Sequence, residues 1–155
     1  MRRWLDTAER QAALDYLAGR FGIAAEAFAD HELLDTGSGI WAVAQSPRLR
    51  EALALLPTSA GLRVLRRTAG GFKPTTYGLQ RFGVAASRNV VDLAEPELGR
   101  LLRGEALEGP FPAEPGYVIL RCEGWVVGCG LYKQGRLLSQ IPASRAKEVR
   151  LTPPF

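Results

Sequence analysis

Residues 116–142 read GYVILRCEGWVVGCGLYKQGRLLSQIP and contain three short apolar runs separated by turn residues. The runs GYVILRC, WVVGCGLYK and RLLSQIP have the length of strands, and glycines mark the turns between them. Short, closely spaced strands with glycine-marked turns are typical of a small β-barrel. The sequence therefore predicts a small barrel in the C-terminal part of the chain.

The segment Gly128-Cys129-Gly130 at the centre of this stretch has three possible interpretations: a phosphate cradle, a reactive-thiol site or a bend in a strand. A dinucleotide-binding loop needs a third glycine at a fixed spacing and a helix after it. Here Gly135 stands at the wrong spacing, and a β-like run follows it. The phosphate interpretation is therefore rejected.

A catalytic cysteine needs a base that generates its thiolate, usually a histidine. The one histidine of the chain, His31, lies far upstream beside Glu32, where we expect a surface position in a loop. Cys129 is therefore interpreted as a small buried core residue. Glycines two positions apart lie on one face of a strand, so Gly128 and Gly130 are expected to allow a close approach and a tight bend. The Lys133-Gln134-Gly135-Arg136 segment is then a hairpin turn with two cations at its tip.

Upstream, helical and extended patterns alternate. DTAERQAALDYLAGRFGI predicts a helix capped by Asp6 or Thr7 and ended by Gly22. The further predicted elements are a hairpin of Glu32–Asp35 and Ile40–Ala44, a helix capped by Ser46, a strand in LRVLRRT, a loop and then a brief helix from Thr75 or Thr76 to Phe82, a strand in RNVVDL and a helix in EPELGRLLRG. Trp41 and Trp125 are expected to pack in the core or between subdomains. The fold class is α+β, with a mixed α/β subdomain over residues 1–85 and the small barrel over residues 86–155.

The charge of the chain is uneven. Residues 1–60 carry 6 basic and 8 acidic residues, a sum of −2, whereas residues 61–155 carry 14 and 8, a sum of +6. The second part therefore has a reason to meet phosphates. Arginine supplies 17 of the 20 basic residues, which suits RNA but also accompanies a GC-rich genome. That genomic explanation does not account for the asymmetry.

Several classes of protein are excluded or disfavoured by composition. No apolar run approaches the roughly 18 residues of a membrane helix, and the basic N-terminus lacks the apolar segment of a secretory signal, so a cytoplasmic protein without a membrane partner is expected. Two cysteines, Cys122 and Cys129, are too few for a disulfide framework, and with a lone histidine they give no metal-binding set. We expect no metal.

Two stretches, LGRLLRGEALEG and residues 116–150, together resemble the PUA-type RNA-binding domain. The likeness is to the PUA-like tail of 16S rRNA cytosine-5 methyltransferases of the Fmu/RsmF kind. The upstream stretches RFGI, IWAVA and FKPTTYGLQRFG resemble the pre-PUA segment of that family and of ribosome-biogenesis proteins. The resemblance implies a pre-PUA-like subdomain over 1–85, a PUA-like barrel over 86–155, and binding of ribosomal or transfer RNA.

The chain departs from those methyltransferases in its chemistry. Their glycine-rich S-adenosylmethionine loop is missing, and neither Cys122 nor Cys129 follows a proline as the family's nucleophile does. We therefore expect a non-catalytic RNA-binding module without a cofactor. The alternative is a protein-interaction adaptor that docks on an RNA-modifying enzyme or a ribosome-assembly factor, with residues 1–85 as the docking part.

RNA binding would rest on cations that contact phosphates and on stacking groups. The hairpin cations Lys133 and Arg136 are the first candidates. Further candidates in the barrel half are Arg121, Arg145, Lys147 and Arg150, with Tyr132 as a stacking face; Lys73, Arg81 and Arg88 flank the junction of the halves. For each cation the alternative is an ordinary solvated or ion-paired surface position.

Overall fold

A computed structural model describes residues 2–55 and 61–146, and it has an α+β fold, as predicted. The strands are β1 (Arg3–Trp4), β2 (His31–Asp35), β3 (Gly39–Ala44), β4 (Leu62–Thr68), β5 (Gly71–Pro74), β6 (Val90–Leu93), β7 (Leu107–Glu108), β8 (Gly116–Cys122), β9 (Trp125–Lys133) and β10 (Arg136–Ser139). The helices are α1 (Thr7–Phe21), α2 (Leu49–Leu55), α3 (Thr76–Phe82), α4 (Glu95–Leu102) and α5 (Ala143–Ala146). No helix among the described residues combines the length and apolar character needed to cross a membrane.

The first sheet is antiparallel and keeps its strands in chain order, β1-β2-β3-β4-β5. Helix α1 begins at a capping box, in which the Asp6 carboxylate accepts from the Glu9 amide and Glu9 reaches back to the Asp6 amide. It ends at Gly22, whose φ of 68° is the left-handed conformation that glycine adopts without steric cost. Both ends of α1 therefore follow from local sequence.

The second sheet has the order β6-β8-β9-β10-β7, with β6 parallel to β8 and the other pairs antiparallel. It curls into a half-barrel that buries Leu98 and Leu101 of α4 with Val118 and Leu120 of β8. The three strands predicted within residues 116–142 are present as β8, β9 and β10.

Gly128 and Gly130 both face this second core. A Cβ at Gly128 would lie 2.6 Å from Ile141 Cγ1, and one at Gly130 would lie 2.7 Å from Leu120 Cδ2. The close approach predicted at these glycines is thus made by neighbouring side chains, which leave no space there for a nucleotide. Cys129 points the other way and is buried, as predicted.

The hydrophobic core of the N-terminal half includes residues of the second sheet. Ile119 of β8 and Cys129 of β9 pack with Phe21 of α1 and Leu79 of α3. Helix α3 lies against both β4 and β9. The first sheet ends at Pro74 and the second begins at Val90, and the apolar packing is continuous between the two sheets.

Polar contacts also join the halves. Arg20, in the last turn of α1, donates from Nε to the Tyr117 carbonyl at 2.7 Å and from Nη2 to the Glu114 carbonyl at 2.7 Å. The Asn89 side-chain amide donates to the Arg20 carbonyl at 2.6 Å. Arg20 and Tyr117 are half-buried, Asn89 is buried and Glu114 is exposed. Together these contacts fix the end of α1 against the start of the second sheet.

Four local predictions are corrected. Trp125, which was expected to pack in the core or between subdomains, is exposed. FKP is not a loop, because residues 71–74 pair with β4 as strand β5. Helix α2 begins at Leu49, later than a cap at Ser46 would give. His31 is not a loop residue: it opens β2 and packs against Phe28 and Phe82, with ring centroids 6.3 and 5.3 Å away.

Candidate nucleic-acid interface

Three cations meet where the two halves join. Arg63 and Arg66 lie on β4, and Lys73 lies on β5 directly opposite Arg66. Residues three apart on a regular strand point to opposite faces. Here Ile40 of β3 pairs with Leu65, whereas the next residue, Trp41, pairs with Arg63. Val64 is therefore an extra residue in β4 without a partner on β3. This bulge lets Arg63 and Arg66 reach the same side of the sheet.

The three cations line a cleft of about 520 Å³ between the N-terminal sheet, α3 and the segment that follows β10. Its other lining groups are Trp41, Leu62, Pro74, Thr75, Thr76, Tyr77, Gln140 and Pro142. The cleft thus combines positive charge with aromatic rings and one side-chain amide. Residues from both halves build it.

Among the residues that the structure describes, no acidic side chain pairs with the cations of this cleft. Within the described ranges, none of Arg63, Arg66 and Lys73 forms an ion pair with a carboxylate. Burial lowers the pKa of the Arg63 guanidinium, and the neighbouring charge of Arg66 lowers it further. A bound anion would relieve this repulsion, so the cleft is electrostatically prepared for phosphate.

Two aromatic side chains shape the cleft. The indole of Trp41 donates from Nε1 to Thr36 Oγ1 at 3.1 Å, and the Arg63 guanidinium lies 5.7 Å from its ring centroid. Tyr77 lies in the first turn of α3, where Thr75 is the N-cap and accepts from the Gly78 amide. Its side chain is exposed. Trp41 is thus half-buried and held in place, whereas Tyr77 presents its ring to solvent.

Lys73 and Gln140 connect the two sheets across the cleft. The Lys73 ammonium donates to Gln140 Oε1 at 2.9 Å and lies 5.8 Å from the Tyr117 ring centroid. Gln140 directly follows β10, and its side-chain amide donates from Nε2 to the Ser139 carbonyl. Lys73, predicted as a junction cation, is therefore at the centre of the site. The predicted site residues did not include Trp41, Arg63, Arg66, Tyr77 or Gln140. Strand periodicity alone does not place Arg63 and Arg66 on one side of the sheet, because that placement depends on the bulge at Val64.

The predicted hairpin with cations at its tip is present between β9 and β10. Gln134 and Gly135 both have positive φ, 53° and 74°, as a two-residue turn that matches strand twist requires. Lys133 and Arg136 are both exposed. Arg136 pairs with Glu108 at 3.2 Å, whereas Lys133 forms no ion pair with any described residue. From Arg136 to Gln140 the chain advances four residues, about 13 Å at strand rise, so the hairpin and the cleft lie at opposite ends of β10.

Two other predicted cations are engaged by carboxylates. Arg121 donates to both oxygens of Asp92 at 2.6 and 2.9 Å, which lowers the pKa of that carboxyl. Arg88 donates to the Gly19 carbonyl at 2.8 Å and lies 3.5 Å from Glu114. RNA would have to compete with these carboxylates for both side chains.

The remaining predicted site residues lie in different settings. Arg81 is exposed with its guanidinium 5.0 Å from the Phe82 ring centroid, and Arg145 of α5 lies 5.6 Å from the Tyr77 ring centroid beside the cleft. Lys147 and Arg150 lie outside the described residues. Tyr132 is buried: its hydroxyl accepts from the Phe111 amide at 3.3 Å, and the Phe111 ring packs edge-on at 5.7 Å. The loop before β8 covers this tyrosine, so its expected stacking role is corrected.

The thiols show no arrangement for nucleophilic catalysis. Cys122 and Cys129 are both buried and unpaired as disulfides. Burial raises the pKa of Cys129 to about 12 and also raises the pKa of Cys122. Thiolate formation is therefore opposed at neutral pH. Within residues 2–55 and 61–146, no group of three or more His, Cys, Asp or Glu side chains is placed to hold a metal ion.

The architecture is that of a PUA-type fold. A PUA domain from Aeropyrum pernix K1, whose crystal structure is a tartrate complex, superposes on this chain with a TM-score of 0.52. The match covers 96% of this chain and 77% of the other, at 17% sequence identity. At that identity the likeness concerns the fold.

The sequence of the C-terminal half narrows this class. Residues 88–146 match the family described as the methyltransferase RsmF PUA domain. This part of the chain therefore resembles the PUA domain of RsmF, and the resemblance predicted for the C-terminal half is confirmed. Comparison with curated protein sequences gave no match.

Proposed function

We propose that this protein is a non-catalytic RNA-binding module for structured RNA, of the ribosomal or transfer class, acting in rRNA processing or ribosome biogenesis. PUA domains generally bind RNA, and the RsmF-type PUA domain is an appendage of methyltransferases. The observation that carries the proposal here is the junction cleft, in which Arg63, Arg66 and Lys73 meet without a carboxylate among the described residues.

The proposed surface runs along β10 from the junction cleft to the hairpin cations Lys133 and Arg136. Cations without an acidic partner bind phosphate without first breaking an ion pair, so the cleft is expected to contribute more than the paired positions Arg121 and Arg88. The absence of catalysis is part of the proposal, and the high pKa of Cys129 supports it.

The test is retention of ribosomal RNA and transfer RNA on filters at a low and a high salt concentration. Three double variants each remove two positive charges: Arg66→Gln/Lys73→Gln in the cleft, Lys133→Gln/Arg136→Gln at the hairpin, and Arg100→Gln/Arg103→Gln as the control. Of the control arginines, Arg100 lies in the last turn of α4 and Arg103 directly follows the helix, and both pair with Glu105.

Wild type and control are expected to bind in a salt-sensitive way, with the cleft variant weakened most. Each lost phosphate contact reduces the slope of log affinity against log salt by about 0.7 on single strands and about 0.9 on duplexes. If all three variants weaken binding equally, the surface is misplaced. If wild type retains no RNA at low salt, the RNA-binding proposal fails and the protein-adaptor alternative is favoured.

A further inference from the structure

We propose that the junction cleft receives one unpaired nucleotide of the bound RNA, with its base stacked on Tyr77 and its phosphate against Arg63, Arg66 and Lys73. This inference rests on the proposed RNA-binding function and specifies what the site recognises. The cleft is then expected to bind a base that is neither paired nor stacked on its neighbours, and not the outer surface of an RNA helix.

The size of the cleft fits one nucleotide better than a helix. A volume of about 520 Å³ lies within the roughly 300–1,000 Å³ of small-ligand sites. A paired base in an RNA helix is covered above and below by its neighbours, and its major-groove edge lies in a groove that side chains cannot enter. A concave site of this volume can therefore enclose a base only when that base is unpaired.

The cleft supplies the planar groups that an unpaired base needs. Tyr77 is 42% exposed although it is a large aromatic residue at the start of a helix. The Arg145 guanidinium lies 5.6 Å from its ring centroid. Phenol rings stack on bases, so Tyr77 offers a stacking surface at one wall of the cleft.

The opposite wall supplies the charge. Arg66 is exposed and faces Lys73 across the β4–β5 pair. Lys73 donates to Gln140, which is a neutral acceptor. If the ammonium of Lys73 moved to a phosphate, this hydrogen bond to a neutral group would be replaced by an ion pair. Gln140 Oε1 would then be free to accept from a base amino group. The cleft thus provides a phosphate contact and a base-edge contact within one space.

Direct titration separates the two kinds of RNA. The probes are an unstructured single-stranded oligoribonucleotide that carries one 2-aminopurine, and a blunt duplex of equal charge. Stacking on an aromatic ring contributes enough that truncation to alanine lowers affinity about tenfold or more. Tyr77→Ala is therefore expected to weaken single-strand binding by about tenfold and duplex binding by less than about twofold, whereas Tyr77→Phe retains both.

The fluorescence of 2-aminopurine provides a readout on the wild-type protein that does not depend on a variant. Quenching on binding is expected, because the reporter base stacks on the ring in the cleft. Unchanged fluorescence on a fully bound single strand overturns the inference. The inference is also overturned if the protein binds single strand and duplex with equal affinity and if Tyr77→Ala and Tyr77→Phe do not differ in affinity.

Two further outcomes distinguish failure of this inference from failure of the proposed function. If wild type binds ribosomal RNA in a salt-sensitive way but shows no preference for the single strand, only the unpaired-nucleotide inference fails. If it binds neither probe and no RNA, the proposed function fails with it. Uridine monophosphate is the last probe: affinity equal to that of the oligonucleotide would assign the cleft to a free nucleotide, and displacement only at far higher concentration is the expected result.

Discussion

Gly78 in α3 is the position at which a small change tests the packing that builds the cleft. Alanine in place of a glycine inside a helix ordinarily stabilises a protein, because glycine loses more backbone entropy on folding. At Gly78 we expect alanine to lower the unfolding free energy instead. The glycine is buried where α3 crosses β4, and the helix carries Tyr77 into the cleft.

The magnitude follows from the contacts of the added carbon. A Cβ at Gly78 would lie 2.8 Å from Val64 Cα, 3.0 Å from Val64 O and 2.8 Å from Thr75 Oγ1. The first two are backbone atoms of a strand, so the helix itself has to move. Overpacking costs about 1–3 kcal/mol and a lost N-cap about 1 kcal/mol, against a helix-propensity gain of about 1 kcal/mol. The expected net loss in unfolding free energy is about 1–3 kcal/mol.

Urea denaturation of Gly78→Ala beside Gly19→Ala is the assay. Gly19 lies inside α1 with nothing within 4 Å of an added Cβ, so alanine there is expected to stabilise by roughly 0.5–1 kcal/mol. The two variants make the same chemical change and should move the midpoint in opposite directions. A Gly78→Ala protein as stable as Gly19→Ala would refute the reasoning about α3 and β4.

Three further predictions concern the junction, the half-buried imidazole of His31 and the thiols. Arg20→Met removes the donors to two carbonyls of the second half, of which the Tyr117 carbonyl is half-buried, and should lower the unfolding free energy by about 1–3 kcal/mol in urea denaturation. His31 has a lowered pKa, chiefly because of burial and secondly because of Arg81, so the unfolded chain binds its proton more tightly. Stability should therefore fall as pH drops below the unfolded-state value of about 6.5, and His31→Leu should lack that part of the loss. Cys122 and Cys129 should both resist a thiol reagent at pH 8 until the protein is unfolded.

Each of these has a control. Arg48→Met removes an exposed pair with Glu51 and should change stability by less than about 1 kcal/mol; an equal effect of Arg20→Met would contradict the junction contacts. Parallel pH–stability curves for wild type and His31→Leu would show that the imidazole does not titrate in folding. Rapid labelling of native Cys129 would show that the core of the N-terminal half opens readily, and rapid labelling of native Cys122 would show the same of the second core.

Sequence reasoning recovers the parts of this fold that depend on neighbouring residues. The ends of α1 follow from Asp6, Glu9 and Gly22, and the β9–β10 hairpin follows from the turn at Gln134 and Gly135. In each case the determinant lies within a few positions of the feature, so a capping or turn rule is sufficient.

The site depends on contacts that are distant in the chain and is only partly predictable. Lys73 is identifiable as a junction cation, but its partner Gln140 lies 67 positions away. Arg63 escapes prediction because a bulge in β4 reverses the alternation that strand rules assume. Tyr132 has the aromatic ring that a stacking residue needs, but the loop that carries Phe111 covers it. Local sequence does not specify a bulge or the course of a long loop.

The shared core has a consequence for how such a module can be rearranged. Residues 88–146 are the segment that matches a recognised family, yet Ile119 and Cys129 within it pack against Phe21 and Leu79 of the preceding part. The unit that recurs in sequence is therefore smaller than the unit that buries its own apolar surface. A fusion or deletion that cuts between the sheets would expose that surface in both fragments and divide the cleft between them. We expect the two parts to be transferable only together.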